Sequence, residues 1–252
     1  MRFITFIALI LTSVITHAGQ TLSSAALSWP QANSTQNADS WQQKLLTGSG
    51  KDIQKLHLTA QSLAAHSSFD NLKNTSGETL LIVKSGTLSI KLNSQLQQVS
   101  DGSVMVFNKT DKVQLANTTA QPVTYYLFEY AQKPNATAHN AFVINWNDVK
   151  FNASDIGGRR DFFNQPTSAF DSFEMHVSTL NEGLTNHALH THGAEEFVVM
   201  MKGEVVMQIG DKNVSAKAGD VVFLESMVPH SLNNTGAGET QYFAFQFWNK
   251  AP

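Results

Sequence analysis

The chain has 252 residues, 17 basic and 20 acidic, with a net charge of −3, and 42% of its residues are hydrophobic. That balance excludes a strongly basic nucleic-acid-binding surface and offers no electrostatic attraction to anionic membrane. There is no cysteine, so neither a disulfide framework nor thiolate metal ligation is available, and a hydrophobic core must hold the fold.

Arg2 precedes an almost wholly apolar run at residues 3–15, and small residues around Ala18 offer a cleavage site. Residues 1–18 therefore read as a secretory signal peptide cut before Gly19, giving a periplasmic or secreted mature chain. The run is short of the roughly 20 residues needed to span a bilayer, and no membrane contact is expected after cleavage. Removing Arg2 leaves 16 basic and 20 acidic residues, a net of −4.

Residues 19–55 are rich in Ser, Gln, Asn and Thr and read as an irregular arm, with Trp29 and Trp41 pinned to the folded body. A single helical turn fits residues 54–65. From there the pattern is short apolar runs broken by turn residues, as in an all-β sandwich or barrel. Leu80-Leu81-Ile82-Val83 and Val104-Met105-Val106-Phe107 are two such runs.

The chain repeats itself at an offset of 117 residues. Gly86 meets Gly203, Gly102 meets Gly219, and Asn117-Thr118 meets Asn234-Thr235, all without a gap. Two copies of one β domain follow, a first at 56–138 and a second at 139–252.

In the second copy, strands are expected at 173–180, 197–201, 205–209, 221–224 and 240–248. Before the second of these stands His190-Thr191-His192-Gly193-Ala194-Glu195-Glu196. Histidines at i and i+2 share one face of a strand. Glu196 opens the next strand, and His230 follows Pro229 thirty-four residues later. Imidazoles and a carboxylate converging on one point suit a divalent ion. At the repeat offset these four positions hold Lys73, Thr75, Thr79 and Val113, so only the second copy carries a ligand set. His57, His66 and His139 read as ordinary surface or loop residues, and His187 as a loop residue out of parity with His190. Met175, Met200 and Met207 read as barrel filling.

This layout resembles the cupin superfamily, and because both halves share it, a bicupin of two tandem jelly-roll β-barrels. Gly183, His190, His192, Glu196 and Gly203 fit the first cupin motif with one extra residue after Gly183. Gly219, His230 and Asn234 keep the spacing of the second, with Glu225 and Met227 in place of its proline and middle glycine. The resemblance implies that His190, His192, Glu196 and His230 bind a metal inside the barrel, manganese foremost, with iron, nickel and zinc also served. A plan of ligand-free first barrel and ligand-bearing second barrel is similar to ureidoglycine aminohydrolase-type bicupins. Their motif is E-x-H-x3-H with a distant glutamine, whereas three histidines and one glutamate look more like oxalate-degrading, dioxygenase and sugar-isomerising cupins.

Two residues outside the ligand set are candidates for holding substrate. Arg160, behind the Gly157-Gly158 pair, could clamp a carboxylate. Gln246, in the aromatic strand Phe245-Gln246-Phe247, could orient a ligand in the cavity. The resulting expectation is a metal-dependent enzyme acting on a small polar or anionic metabolite. The alternative is a periplasmic cupin that binds a sugar or organic acid without turnover. Exposed edge strands would allow a homodimer.

Overall fold

In a computed structural model, residues 20–30, 40–72, 77–131 and 137–249 are described. The expected signal peptide lies outside them, as do Lys73 and Thr75. Among the described residues, twenty strands and one short 3-10 turn make an all-β fold.

The first half contributes β1 (Ala25–Leu27), β2 (Trp41–Gly48), β3 (Leu56–Leu63), β4 (Ser68–Leu72), β5 (Gly77–Ser85), β6 (Leu88–Leu92), β7 (Gln95–Val99), β8 (Val104–Asn108), β9 (Val113–Ala116) and β10 (Val123–Ala131). The second contributes β11 (Phe142–Ile144), β12 (Phe151–Ser154), β13 (Gly157–Gln165), β14 (Ser172–Leu180), β15 (Glu195–Lys202), β16 (Glu204–Ile209), β17 (Lys212–Lys217), β18 (Val221–Leu224), β19 (His230–Asn234) and β20 (Thr240–Trp248). Each half folds into a jelly-roll barrel with one large and one small sheet. The large sheets run β11-β8-β5-β10-β3-β2 and β1-β18-β15-β20-β14-β13-β12. The small ones run β4-β9-β6-β7 and β17-β16-β19.

The repeat seen in the sequence governs the structure down to single hydrogen bonds. Asn117 Nδ2 donates to the carbonyls of Leu63 (3.1 Å) and Gln121 (2.8 Å), and Asn234 Nδ2 donates to those of Leu180 (2.9 Å) and Gly238 (2.8 Å). Each acceptor pair is separated by the same 117 residues. Gly102 and Gly219 both sit at positive φ. A Cβ on the first would overlap Trp146, and on the second would press on Trp29. Glycine is required at both places because the left-handed backbone and the indole leave no room for a side chain.

The expected domain boundaries do not coincide with the sheets, because the two halves exchange a strand. Ala25 of β1 pairs with Phe223 of β18 in the second barrel, and Phe142 of β11 pairs with Val106 of β8 in the first. The arm is thus not irregular. β1 covers an edge of the second large sheet, and β2 pairs with β3 of the first. Its tryptophans are pinned as expected: Trp29 meets Trp41 and Tyr126 edge-on at 5.8 and 4.9 Å. The helical turn expected at 54–65 is replaced by β3, whose backbone is paired on both sides, by β2 and β10.

The large sheets face each other across the main core. Leu58, Ile82, Tyr126 and Phe128 come from the first barrel, and Phe197, Val199, Phe243 and Phe245 from the second. Phe128 packs edge-on against Phe197 and Phe245 at 5.2 and 5.3 Å. Burying such rings stabilises by roughly 1.5–3 kcal/mol each. Two smaller clusters fill the barrel interiors.

Candidate metal centre and cavity

Strand alternation decides which side chains enter the second barrel. On β14, Phe173, Met175 and Val177 go to the inter-barrel core, leaving Glu174, His176 and Ser178 for the interior. On β20, Phe243, Phe245 and Phe247 go to the core, leaving Tyr242, Ala244 and Gln246. On β15, Phe197 and Val199 go to the core, leaving Glu196 and Val198. The three strands are neighbours, so Glu174, Gln246 and Glu196 form one row across the wall and His176, Ala244 and Val198 the next. They line a cavity of about 470 Å³.

The four expected ligands come together around Glu196, at one end of this wall. His190 and His192 stand in the loop before β15 rather than on a regular strand. The loop is fixed by an isolated bridge, His190 N–H to His230 O (3.2 Å) and His230 N–H to His190 O (2.9 Å), and by Met227 N–H to His192 O (2.8 Å). His230 begins β19 and is buried. One ligand atom from each of the three rings lies within 4.8 Å of the others. Glu196 Oε2 is 3.0 Å from His192 Nε2 and 3.5 Å from His230 Nε2.

The donor set fits a divalent cation. Each Nδ1 faces a backbone carbonyl: His190 that of His230 (3.2 Å), His192 that of Ala194 (3.1 Å), and His230 that of Val228 (2.9 Å). A ring that donates through Nδ1 presents Nε2 as its basic atom, the arrangement metal-binding histidines require. Burial alone would raise the Glu196 carboxyl, but hydrogen bonds and charge from His192 and His230 hold it down at about 2. A buried carboxylate so placed needs positive charge beside it, from protonated imidazoles or from a cation. The hydrogen bond to Glu196 raises His192 above its usual value against the effect of burial. His190 is lowered, by burial and by the neighbouring rings of His187, His230 and His192.

Of the two substrate candidates, Gln246 faces the cavity, its Nε2 3.3 Å from Glu196 Oε2 and 3.4 Å from His192 Nε2. Arg160 does not. It pairs with Val177, a core-facing residue, so its guanidinium lies over Trp146 (4.6 Å) and Phe151 (5.3 Å) and donates to the Val149 carbonyl. Arg159 pairs with inward-facing Ser178 and is the arginine that lines the cavity. Its Nη2 meets Glu174 Oε1 at 2.6 Å and its Nε meets Asp161 Oδ1 at 2.5 Å. His176 Nδ1 reaches the same Glu174 oxygen at 2.9 Å.

His187, read from parity as an uninvolved loop residue, also lines the cavity, its ring 3.9 Å from that of His190. Parity fails there because the segment is not a strand. Glu174 and His176 were legible in principle: residues 173–178 alternate Phe-Glu-Met-His-Val-Ser, with one face wholly polar. Met207 lines the cavity, Met200 fills the barrel beside it, and Met175 lies in the inter-barrel core.

The first barrel has no counterpart among its described residues. Glu196 is replaced by buried Thr79, His230 by buried Val113, Ala244 by Leu127 and His176 by Thr59. Leucine occupies the room that alanine leaves open, and the interior there packs as apolar core.

A family model for the cupin domain matches residues 176–245, the stretch that carries most of this site. The crystal structure of Lactobacillus farciminis oxalate decarboxylase in complex with formate superposes with a TM-score of 0.68 at 12% identity, covering 92% of this chain and 88% of that one. The chain has the fold of a bicupin, with a cupin domain at residues 176–245.

Two curated proteins align with parts of the chain. The oxalate-binding protein of Thermotoga maritima is 40% identical over 57 residues, which is 22% of this chain and 47% of that protein. The HTH-type transcriptional regulator PuuR of Escherichia coli is 24% identical over 156 residues, 60% of this chain and 82% of that protein. Proteins of different roles thus resemble this chain, and only the site can discriminate among roles for it.

Proposed function

We propose that this chain holds a divalent metal ion on His190, His192, Glu196 and His230, and that its second barrel takes a small polar or anionic molecule beside the ion. The observation that carries the reading is the convergence of these four donors beside a 470 Å³ cavity that His190, Glu196 and His230 line, with all three Nδ1 atoms turned to carbonyls. A bound divalent ion would polarise a ligand oxygen as a Lewis acid. Gln246 is placed to orient the ligand, and Glu174, His176 and Ser178 continue the polar lining on the neighbouring strand. The oxalate-binding relative and the decarboxylase fold neighbour both favour a small carboxylic acid as the class of ligand.

The reading includes catalysis, with manganese as the metal proposed first and iron, nickel or zinc as substitutes, and export directed by residues 1–18. A non-catalytic organic-acid-binding role is the second reading, favoured by the binding protein among the relatives. The test is metal analysis of the purified full chain beside a His190→Ala/His192→Ala variant, followed by oxalate titration of the loaded protein. Near-stoichiometric metal in the parent alone, with saturable oxalate binding, supports the proposal. No metal after reconstitution overturns it. Binding without product from oxalate or other small acids selects the second reading.

A further inference from the structure

We propose that His176 is a catalytic proton acceptor for a ligand held at the His190/His192/His230 end of the cavity. This rests on the small-molecule reading of that cavity and adds a residue two strands away in the same wall.

The placement comes from register. His176 pairs with Ala244, and Ala244 pairs with Val198, the inward residue two places after Glu196. Neighbouring strands lie about 4.8 Å apart, so His176 stands two strands across from the Glu196 strand. The residue between is alanine, and the side chains there border open cavity. A molecule of a few heavy atoms spans that distance. In the first barrel the equivalent row is Thr59, Leu127 and Leu81, with neither an imidazole nor the space.

The orientation comes from a relay of charge. Burial works to raise the Glu174 carboxyl, but the hydrogen bond and charge of His176, with those of Arg159, outweigh it and hold it below the usual value. An ionised carboxylate can only accept, so His176 Nδ1 carries the hydrogen in the 2.9 Å contact. In the neutral ring Nε2 is then the basic nitrogen, and among the described residues it has no protein hydrogen-bond partner. Arg159, itself braced by Asp161, fixes Glu174 from the other side. A base oriented by a second group, which is held by a third, is the arrangement that proton transfer from a bound molecule requires. In the step, a ligand O–H bond breaks and leaves its electron pair on oxygen. The proton forms the Nε2–H bond, and the imidazolium charge is balanced by Glu174. A cluster serving only stability has no need to face the cavity, and elsewhere this interior is filled with Val, Met, Leu and Ile.

The test uses the full chain loaded with zinc, with 15N-labelled histidine, and glycolate as the probe. Long-range proton–nitrogen NMR reports the tautomer of each ring, and His176→Gln assigns the signal. The expected result is a His176 ring with Nδ1 protonated and Nε2 bare. Its Nε2 resonance should move toward the protonated position as glycolate is added. Glu174→Gln, which can donate to Nδ1, should invert the tautomer while leaving zinc bound, an effect that mere packing would not produce. A protonated Nε2 in the free protein overturns the proposal. So does an Nε2 signal that stays still while the rings of His190, His192 and His230 respond to glycolate. If zinc is not retained, or glycolate moves no imidazole at all, the small-molecule reading fails and the His176 proposal falls with it.

Discussion

Glu195 and Glu196 are adjacent in β15, and their carboxylates serve opposite faces of the sheet. Glu196 turns into the barrel, toward His192 and His230. Glu195 turns to the first barrel and accepts the backbone N–H groups of Lys51 (2.6 Å), Asp52 (2.9 Å) and Ile53 (3.1 Å). Its repeat partner Glu78 does the reverse, accepting Ser168 N–H from the second half at 2.8 Å. The two barrels are therefore clasped by reciprocal buried carboxylates, one of them next to a candidate metal ligand.

The clasp reaches the metal loop through Lys51. Its Nζ donates to Gly193 O at 3.0 Å, and Gly193 O also accepts from Ser226 Oγ at 2.8 Å, which ties the His192 loop to the loop before His230. Groups that orient ligands typically affect metal affinity by 10- to 100-fold. Lys51→Ala is expected to weaken metal binding by roughly tenfold, measured by competition with a chromophoric chelator. Unchanged affinity would show that the first barrel does not help place the ligands.

Metal affinity should fall as pH is lowered. The ion needs a neutral imidazole, and His192 is raised above its usual 6.5 by the hydrogen bond to Glu196. Protons therefore begin to compete with the ion above pH 6.5, while Glu196, held at about 2, stays ionised throughout. Chelator competition from pH 8 to pH 5.5 checks this. A flat profile across that range would exclude His192 as a ligand.

Ala244→Leu installs the residue that fills the equivalent place in the first barrel, Leu127. The cavity has space for the added atoms, so the fold and the metal should be retained while oxalate affinity falls at least tenfold, about 1.4 kcal/mol. Calorimetric titration of parent and variant reads the change. Equal affinities would place the ligand elsewhere.

Glu78 predicts a pH dependence of stability with a definite sign. Burial pushes its carboxyl up from 4.5 to about 6, against the hydrogen bonds from Thr167, Tyr130 and the backbone. The folded state thus holds the proton more tightly than the unfolded chain. Stability from this group is greatest below pH 4.5, declines as pH rises toward 6, and is flat above, a loss of about 2 kcal/mol. Glu78→Gln should remove that slope. The check is the difference between the urea unfolding free energies of parent and variant at pH 4.5 and pH 7. A difference independent of pH would refute it.

Asn117→Ala and Asn234→Ala should each destabilise by about 1–3 kcal/mol, since each strips one buried carbonyl, and at least one half-buried one, of their donor. Only the effect on folding should be shared: Asn117→Ala should leave metal affinity unchanged, as its barrel lacks the ligand set. Thermal unfolding with metal titration of both variants measures the two effects separately.

The sequence by itself determined the all-β class, the 117-residue repeat and the four candidate ligands. Each is written in local terms: short apolar runs between turn residues, glycines at positions that need positive φ, and histidines at fixed spacing from a glutamate. It also offered Gln246 as a cavity candidate, though strand parity alone left two faces open. Tertiary structure decided which face. Pairing across the β13–β14 hairpin put Arg159 inside and Arg160 against Trp146, because a residue's direction follows its cross-strand partner and not its own identity. The same holds for His187, in a loop where alternation does not apply, and for Lys51 and Glu195. Their contacts join positions 144 residues apart, and the exchange of β1 and β11 that accompanies them leaves no periodic trace in the chain. Local pattern specifies the elements and the donors; long-range pairing selects which side chains share a cavity.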